Sequence, residues 1–89
     1  MSTVESFVRE AQRCAVMFRL GRDVEAGLAM IELAAALQVS FDFAPTDVQQ
    51  QWLALLGSLL LCQEAQNWLA LADYLEYELP HLLADNLSL

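Results

Sequence analysis

Between Asp47 and Glu64 no residue carries a formal charge, and apolar positions recur at spacings of three and four. On a helix of 3.6 residues per turn, Val48, Trp52, Leu55, Leu56, Leu59 and Leu60 fall on one broad arc, and Gln50, Gln51, Ala54, Gly57, Ser58 and Leu61 fill the opposite side. The pattern predicts a helix over about 47–64 whose outer side is small and neutral. A helix on the surface of a monomer ordinarily turns charges to water, so this one is expected to be covered on both sides. The rest of the chain supplies one cover; the second is either a further helix of the chain or another molecule.

The same periodicity predicts a first helix over about 3–20. Val4, Phe7, Val8, Ala11, Cys14, Ala15 and Phe18 line its inner arc, with Glu5, Arg9, Glu10, Gln12 and Arg13 facing away. Ser2 and Glu5 have capping-box spacing, and Gly21 supplies a left-handed stop. Glu5 precedes Arg9 by four residues, the favourable order for an exposed ion pair. A second helix over about 24–40, capped by Asp23, is apolar on two faces. Val24, Leu28, Ile31, Ala35 and Val39 form one; Ala26, Met30, Leu33, Leu37 and Phe41 form the other. Only Glu25, Ala29, Glu32 and Ala36 remain as an outward strip, which predicts a central or interface helix.

Pro45 disfavours helix at Ala44, so 40–45 is a loop in which Phe41 and Phe43 are expected to plug the end of the bundle. Thr46 and Gln49 repeat the capping-box spacing ahead of the third helix. Asn67 is placed to cap a fourth helix over about 68–83, although one helix running from 47 to 79 is a competing reading of this junction. Trp68, Leu71, Ala72, Leu75, Leu79, Leu82 and Leu83 make its core arc; Asp73, Tyr74, Tyr77 and His81 occupy the other side. Pro80 removes one helical hydrogen bond and crowds the preceding turn, which predicts a kink or break there; 85–89 is expected to fray. Short links make consecutive helices antiparallel neighbours. The expected fold is all-α, one domain over 1–89, an antiparallel four-helix bundle.

Composition sharpens this picture. Hydrophobic residues make up 57% of the 89, more than the usual apolar share of about 45–50%, so apolar surface is expected to be left over. The net charge is −8, lysine is absent, and Arg9, Arg13, Arg19 and Arg22 are all the basic residues. Of the twelve acids, all but Glu5 and Glu10 follow Arg22. Such a surface repels phosphate backbones and anionic lipid, which argues against nucleic acid and leaves a basic or amphipathic protein segment as the better partner. The apolar run from Trp52 to Cys62 is shorter than the ~20 residues of a membrane span, and no signal-peptide pattern precedes it. Two cysteines without CxxC spacing predict a reduced, cytoplasmic protein with Cys14 and Cys62 as small core residues; a disulfide between them is the lesser reading.

Catalytic chemistry finds little material. His81 is the only imidazole, no serine sits in a nucleophile motif, and no glycine pattern forms a phosphate cradle. Glu76, Glu78 and His81 lack the spacing of metal ligands, so neither metal nor cofactor is expected. Tyr74 and Tyr77, with Asp73 and His81, suit either a protein contact or the rim of a bundle. A strip of small residues, Ala54, Gly57, Ser58 and Leu61, suits close approach of another helix, since glycine inside a helix costs about 1 kcal/mol against alanine. With Met30, Leu33 and Leu37 of the second helix, this strip is the expected interface.

The stretch GRDVEAGLAMIELAAAL (21–37) resembles the turn and second helix of a tetratricopeptide hairpin, but nothing like it recurs about 34 residues on. The stretch EAQNWLALADYLEYELPHLL (64–83), with the size, acidity and helicity of the chain, resembles small bacterial flagellar or type III secretion chaperones and export accessory proteins. That resemblance implies a chaperone that shields an amphipathic helix of a client; no diagnostic binding residue matches, so no site carries over. The alternative expectation is a structural homodimer or regulatory adaptor without a client.

Overall fold

The computed structural model describes residues 3–86, and every element among them is helical. Helix α1 spans Thr3–Arg19, α2 Asp23–Phe41 and α3 Thr46–Glu64. A fourth helix is assembled from α4 (Trp68–Asp73), a π turn (Tyr74–Glu78) and α5 (Leu79–Asn86), which follow without a break. Helix α1 packs against α2 on one side and the fourth helix on the other, while α3 closes the ring between those two. The Cα radius of gyration is 12.2 Å, close to the ~12 Å of a compact chain of this length.

Two helix ends show why the chain turns where it does. After α1, the Gly21 N–H donates to Phe18 O and the Arg22 N–H to Met17 O, with Gly21 at φ 79°, the paired bonds of a Schellman stop. After α3 the same pair recurs, from the Gln66 N–H to Gln63 O and the Asn67 N–H to Cys62 O, now with Gln66 at φ 57°. This stop separates α3 from the fourth helix and excludes the continuous helix. Asn67 then caps α4, its Oδ1 accepting the Ala70 N–H at 3.3 Å. A glutamine in the left-handed region carries a strain that glycine lacks. Gln66→Gly is expected to raise the unfolding free energy by about 1 kcal/mol and the melting midpoint by about 4–8 °C, read by thermal circular dichroism.

Other local expectations are corrected. Arg22, not Asp23, holds the cap position of α2, and its side chain makes no capping bond. The Thr46–Gln49 box does not form: Pro45 takes the cap position, and Gln49 Nε2 donates to Asp42 O at 3.0 Å. The box proposed for Ser2 lies outside the described residues, as does the tail beyond Asn86, whereas Asp85 is helical. The interruption expected at Pro80 is present in part, as a join between helical pieces and not as an end of the helix. The Leu79 N–H reaches back five residues to Tyr74 O, so the ladder has shifted register in the π turn before the proline, which has no N–H to give, becomes the second residue of α5.

The core holds two aromatic stacks. Phe18 lies on Trp68 with ring centroids 5.6 Å apart, and Phe41 on Trp52 at 5.1 Å. The Trp52 Nε1–H donates to Gln38 Oε1 at 2.8 Å, which satisfies the one polar atom this large side chain brings inside. Phe41 plugs the end of the bundle as expected, but Phe43 is 88% exposed. Leu56 is only half-buried and Leu60 is exposed, so the inner arc of α3 narrows to Val48, Trp52, Leu55 and Leu59.

Candidate functional site: the outer face of α2 and α3

The two apolar faces of α2 meet different fates. Helix α2 rests on α1 and α3, which fill the side carrying Ala26, Met30, Leu33, Leu37 and Phe41. Met30, Leu33 and Leu37 are 3%, 7% and 1% exposed, so these expected interface residues are core residues instead. The face left open is the one expected to be covered: Val24, Leu28, Ile31 and Val39 are 75%, 62%, 58% and 62% exposed, and Ala35 lies among them. Helix α2 is an edge helix with an uncovered apolar stripe.

On α3 the strip of small residues does face outward. Ala54 and Leu61 are exposed, Gly57 and Ser58 half-exposed, and Ser58 Oγ donates to Ala54 O at 3.2 Å along the helix. Close helix approach occurs at a different glycine. A β-carbon on Gly57 would meet nothing within 4 Å, whereas one on Gly27 would lie 3.1 Å from Gln63 Nε2 of α3. Gly57→Ala is therefore expected to stabilise the isolated protein by about 0.5–1 kcal/mol through helix propensity, visible as a higher urea midpoint.

Gly27 against Gln63, the Gln38–Trp52 bond and the Gln49–Asp42 bond mark the line where α2 and α3 meet, running antiparallel. The stripe of α2 begins beside that line and lies within about 100° of it round the helix at 3.6 residues per turn. Exposed Leu53 and Leu60 with half-buried Leu56 flank the same line on α3. The two stripes thus form one surface, bare of charge for most of its length. Each helix has 19 residues, so the face is about 28 Å long at 1.5 Å per residue. Two helices spaced 8–10 Å apart make it about 20 Å wide, hence about 550 Å². That is the upper range for an apolar patch on a monomer. Helix α2 is also long and apolar enough to cross a membrane, yet a third of its apolar stretch is buried in the bundle.

The second cluster anticipated from the sequence is a clamp. Arg19 Nη2 lies 2.9 Å from Asp73 Oδ1 and 3.4 Å from Glu76 Oε1, tying the end of α1 to the fourth helix. The bond that Arg19 donates to Asp73 raises the Arg19 pKa, and the bond and charge of Glu76 raise that of Tyr77. Tyr74 is half-buried against the core, and exposed Tyr77 edges a shallow hollow of about 380 Å³ with Ala70, Asp73 and Glu78. His81 stands apart, 3.9 Å from Asp85 on the exposed side of α5.

Both cysteines are free, Cys14 buried and Cys62 half-buried. Among the described residues no three His, Cys, Asp or Glu side chains gather as metal ligands would. Burial, helped by Glu10, pushes the Cys14 thiol from 9.0 up to about 11. The folded state holds this proton to higher pH than the unfolded chain, so its contribution is complete below about pH 9 and is lost as pH rises toward 11. The urea midpoint is expected to fall over that window in the parent, and the fall should be shallower in Cys14→Ala.

Leu53, Val24 and the other exposed stripe residues were legible as apolar but not as outward; the signal for it is that Glu25 and Glu32 border the stripe without interrupting it. Comparison of the chain with protein families, with curated proteins and with solved structures returns no match.

Proposed function

We propose that this protein is a non-enzymatic interaction module that receives an amphipathic helix of another protein on the outer face of α2 and α3. The observation that carries the reading is the uncharged, solvent-exposed stripe Val24, Leu28, Ile31 and Val39 continuing onto Leu53 and Leu60. A two-helix face about five turns long fits the helix-in-groove mode, in which residues at i, i+4 and i+7 of the guest seat between the hosts. Its area suits a weak or transient contact, since permanent interfaces bury about 2,000 Å² or more in total. Shielding and later release of a client requires such a contact, and the resemblance of 64–83 to export chaperones supports a cytoplasmic role of that kind.

The test is photo-crosslinking in the native host, with a photoreactive phenylalanine analogue at Leu28 or Leu53 and a control at Arg9. The expected product is an adduct with one different protein, from the face positions only. Adducts with a second copy alone would replace the reading with a structural homodimer. Adducts no more frequent than at Arg9 would remove the face from function altogether.

A further inference from the structure

The border of the α2–α3 face carries a charge pattern that selects among occupants. Glu25 and Glu32, both exposed, run along its α1 side. Asp23 and Glu64 stand at the end where α2 begins and α3 finishes; Asp42 stands at the other end. Two cations lie near these acids, Arg22 beside Asp23 and Arg13 across the α1–α2 groove from Glu25 and Glu32, where it is 3.5 Å from Glu10, so among the described residues the border carries more acid than base. A second copy laid on the face in either direction brings an acidic end onto an acidic end, and like charges apposed at an interface rim oppose association. An anionic bilayer is disfavoured for the same reason.

Resting on the reading of this face as a docking surface, we infer that its occupant is a helix of about 18 residues with an uncharged apolar seam and Lys or Arg on both flanks. The seam covers Leu28, Ile31, Leu53 and Leu60, while the flanking cations meet Glu25 and Glu32 along the edge and Asp23, Glu64 and Asp42 at the ends. These rim contacts are solvent-exposed, so they choose the partner and speed its arrival more than they tighten the complex.

Two synthetic 18-residue amphipathic peptides decide the matter, identical in their Leu/Ala seam and carrying Lys or Glu at the flanks. By fluorescence anisotropy with the full chain, the Lys peptide is expected to bind at least ten-fold tighter at low salt, with the gap closing in high salt. Glu25→Lys with Glu32→Lys should reduce or invert the preference, and Ile31→Asn with Leu60→Asn should abolish binding of both peptides while circular dichroism stays that of the parent. Equal affinity for the two peptides would overturn the charge inference and leave the docking face standing. Binding of neither would overturn both. A concentration-dependent dimer lost in Ile31→Asn would assign the face to a second copy, and co-sedimentation with phosphatidylcholine vesicles would assign it to a bilayer.

Discussion

Replacing Trp52 with alanine is expected to cost about 3–5 kcal/mol of unfolding free energy, the range for large aromatic truncations in a core. Three losses combine. The side chain is 1% exposed, its stack on Phe41 disappears, and Gln38 Oε1 loses its donor. Domains of this size hold about 5–15 kcal/mol in total, so the variant should be partly unfolded at 37 °C or melt more than about 12 °C below the parent. Trp52→Phe separates the contributions, since it keeps the ring stack and removes the donor; about 1–2 kcal/mol is expected. Trp68→Ala serves as comparison, because Trp68 is only half-buried and the loss there should be smaller. If urea denaturation placed Trp52→Ala within about 1 kcal/mol of the parent, the assignment of the α3 inner arc would fail.

The second large effect falls on association and spares the fold. Ile31→Asn with Leu60→Asn removes two apolar side chains that are 58% and 50% exposed, so the stability cost should be about 1–2 kcal/mol, well below that of Trp52→Ala. If a partner helix buries them, each is worth about 1.5–3 kcal/mol, and their joint loss weakens binding by more than about 100-fold. The measurement is anisotropy with the Lys-flanked peptide beside a thermal melt of the same sample. A variant that lost stability as heavily as Trp52→Ala would show that the stripe is core.

The helices and their order could be read from the chain because each inner arc is periodic and Gly21 and Asn67 mark helix ends, although one helix over 47–79 stayed a competing reading until the left-handed Gln66 turn excluded it. The orientation of α2 could not. A helix apolar on two sides has no wheel that says which side meets the bundle, and the choice depends on α1 and α3 arriving from particular directions. Hence Met30, Leu33 and Leu37 went inside and Val24, Leu28 and Ile31 went out. The glycines illustrate the same limit: Gly57 and Gly27 carry equal propensity penalties, but only three-dimensional placement puts Gln63 over one and open space over the other. Tyr74 and Tyr77, readable as an amphipathic pair, gave no hint of Arg19, which reaches the neighbouring Asp73 from 54 residues earlier in the chain.

That reach across the chain bears on synthesis. Phe18 finds its stacking partner in Trp68, and Arg19 its carboxylate in Asp73, so the side of α1 that carries them is completed by the fourth helix, made after α2 and α3. At about 5–20 residues per second, the fifty residues between Phe18 and Trp68 take about 2.5–10 seconds to appear. Over that interval α2 and α3 are made while the side of α1 that carries Phe18 waits for its cover, and by its end the nascent chain shows two apolar flanks, a lasting one on α2–α3 and a temporary one on α1. A cell making this protein therefore meets two exposed apolar surfaces in succession, one for seconds on α1 and one that persists on α2 and α3 after folding.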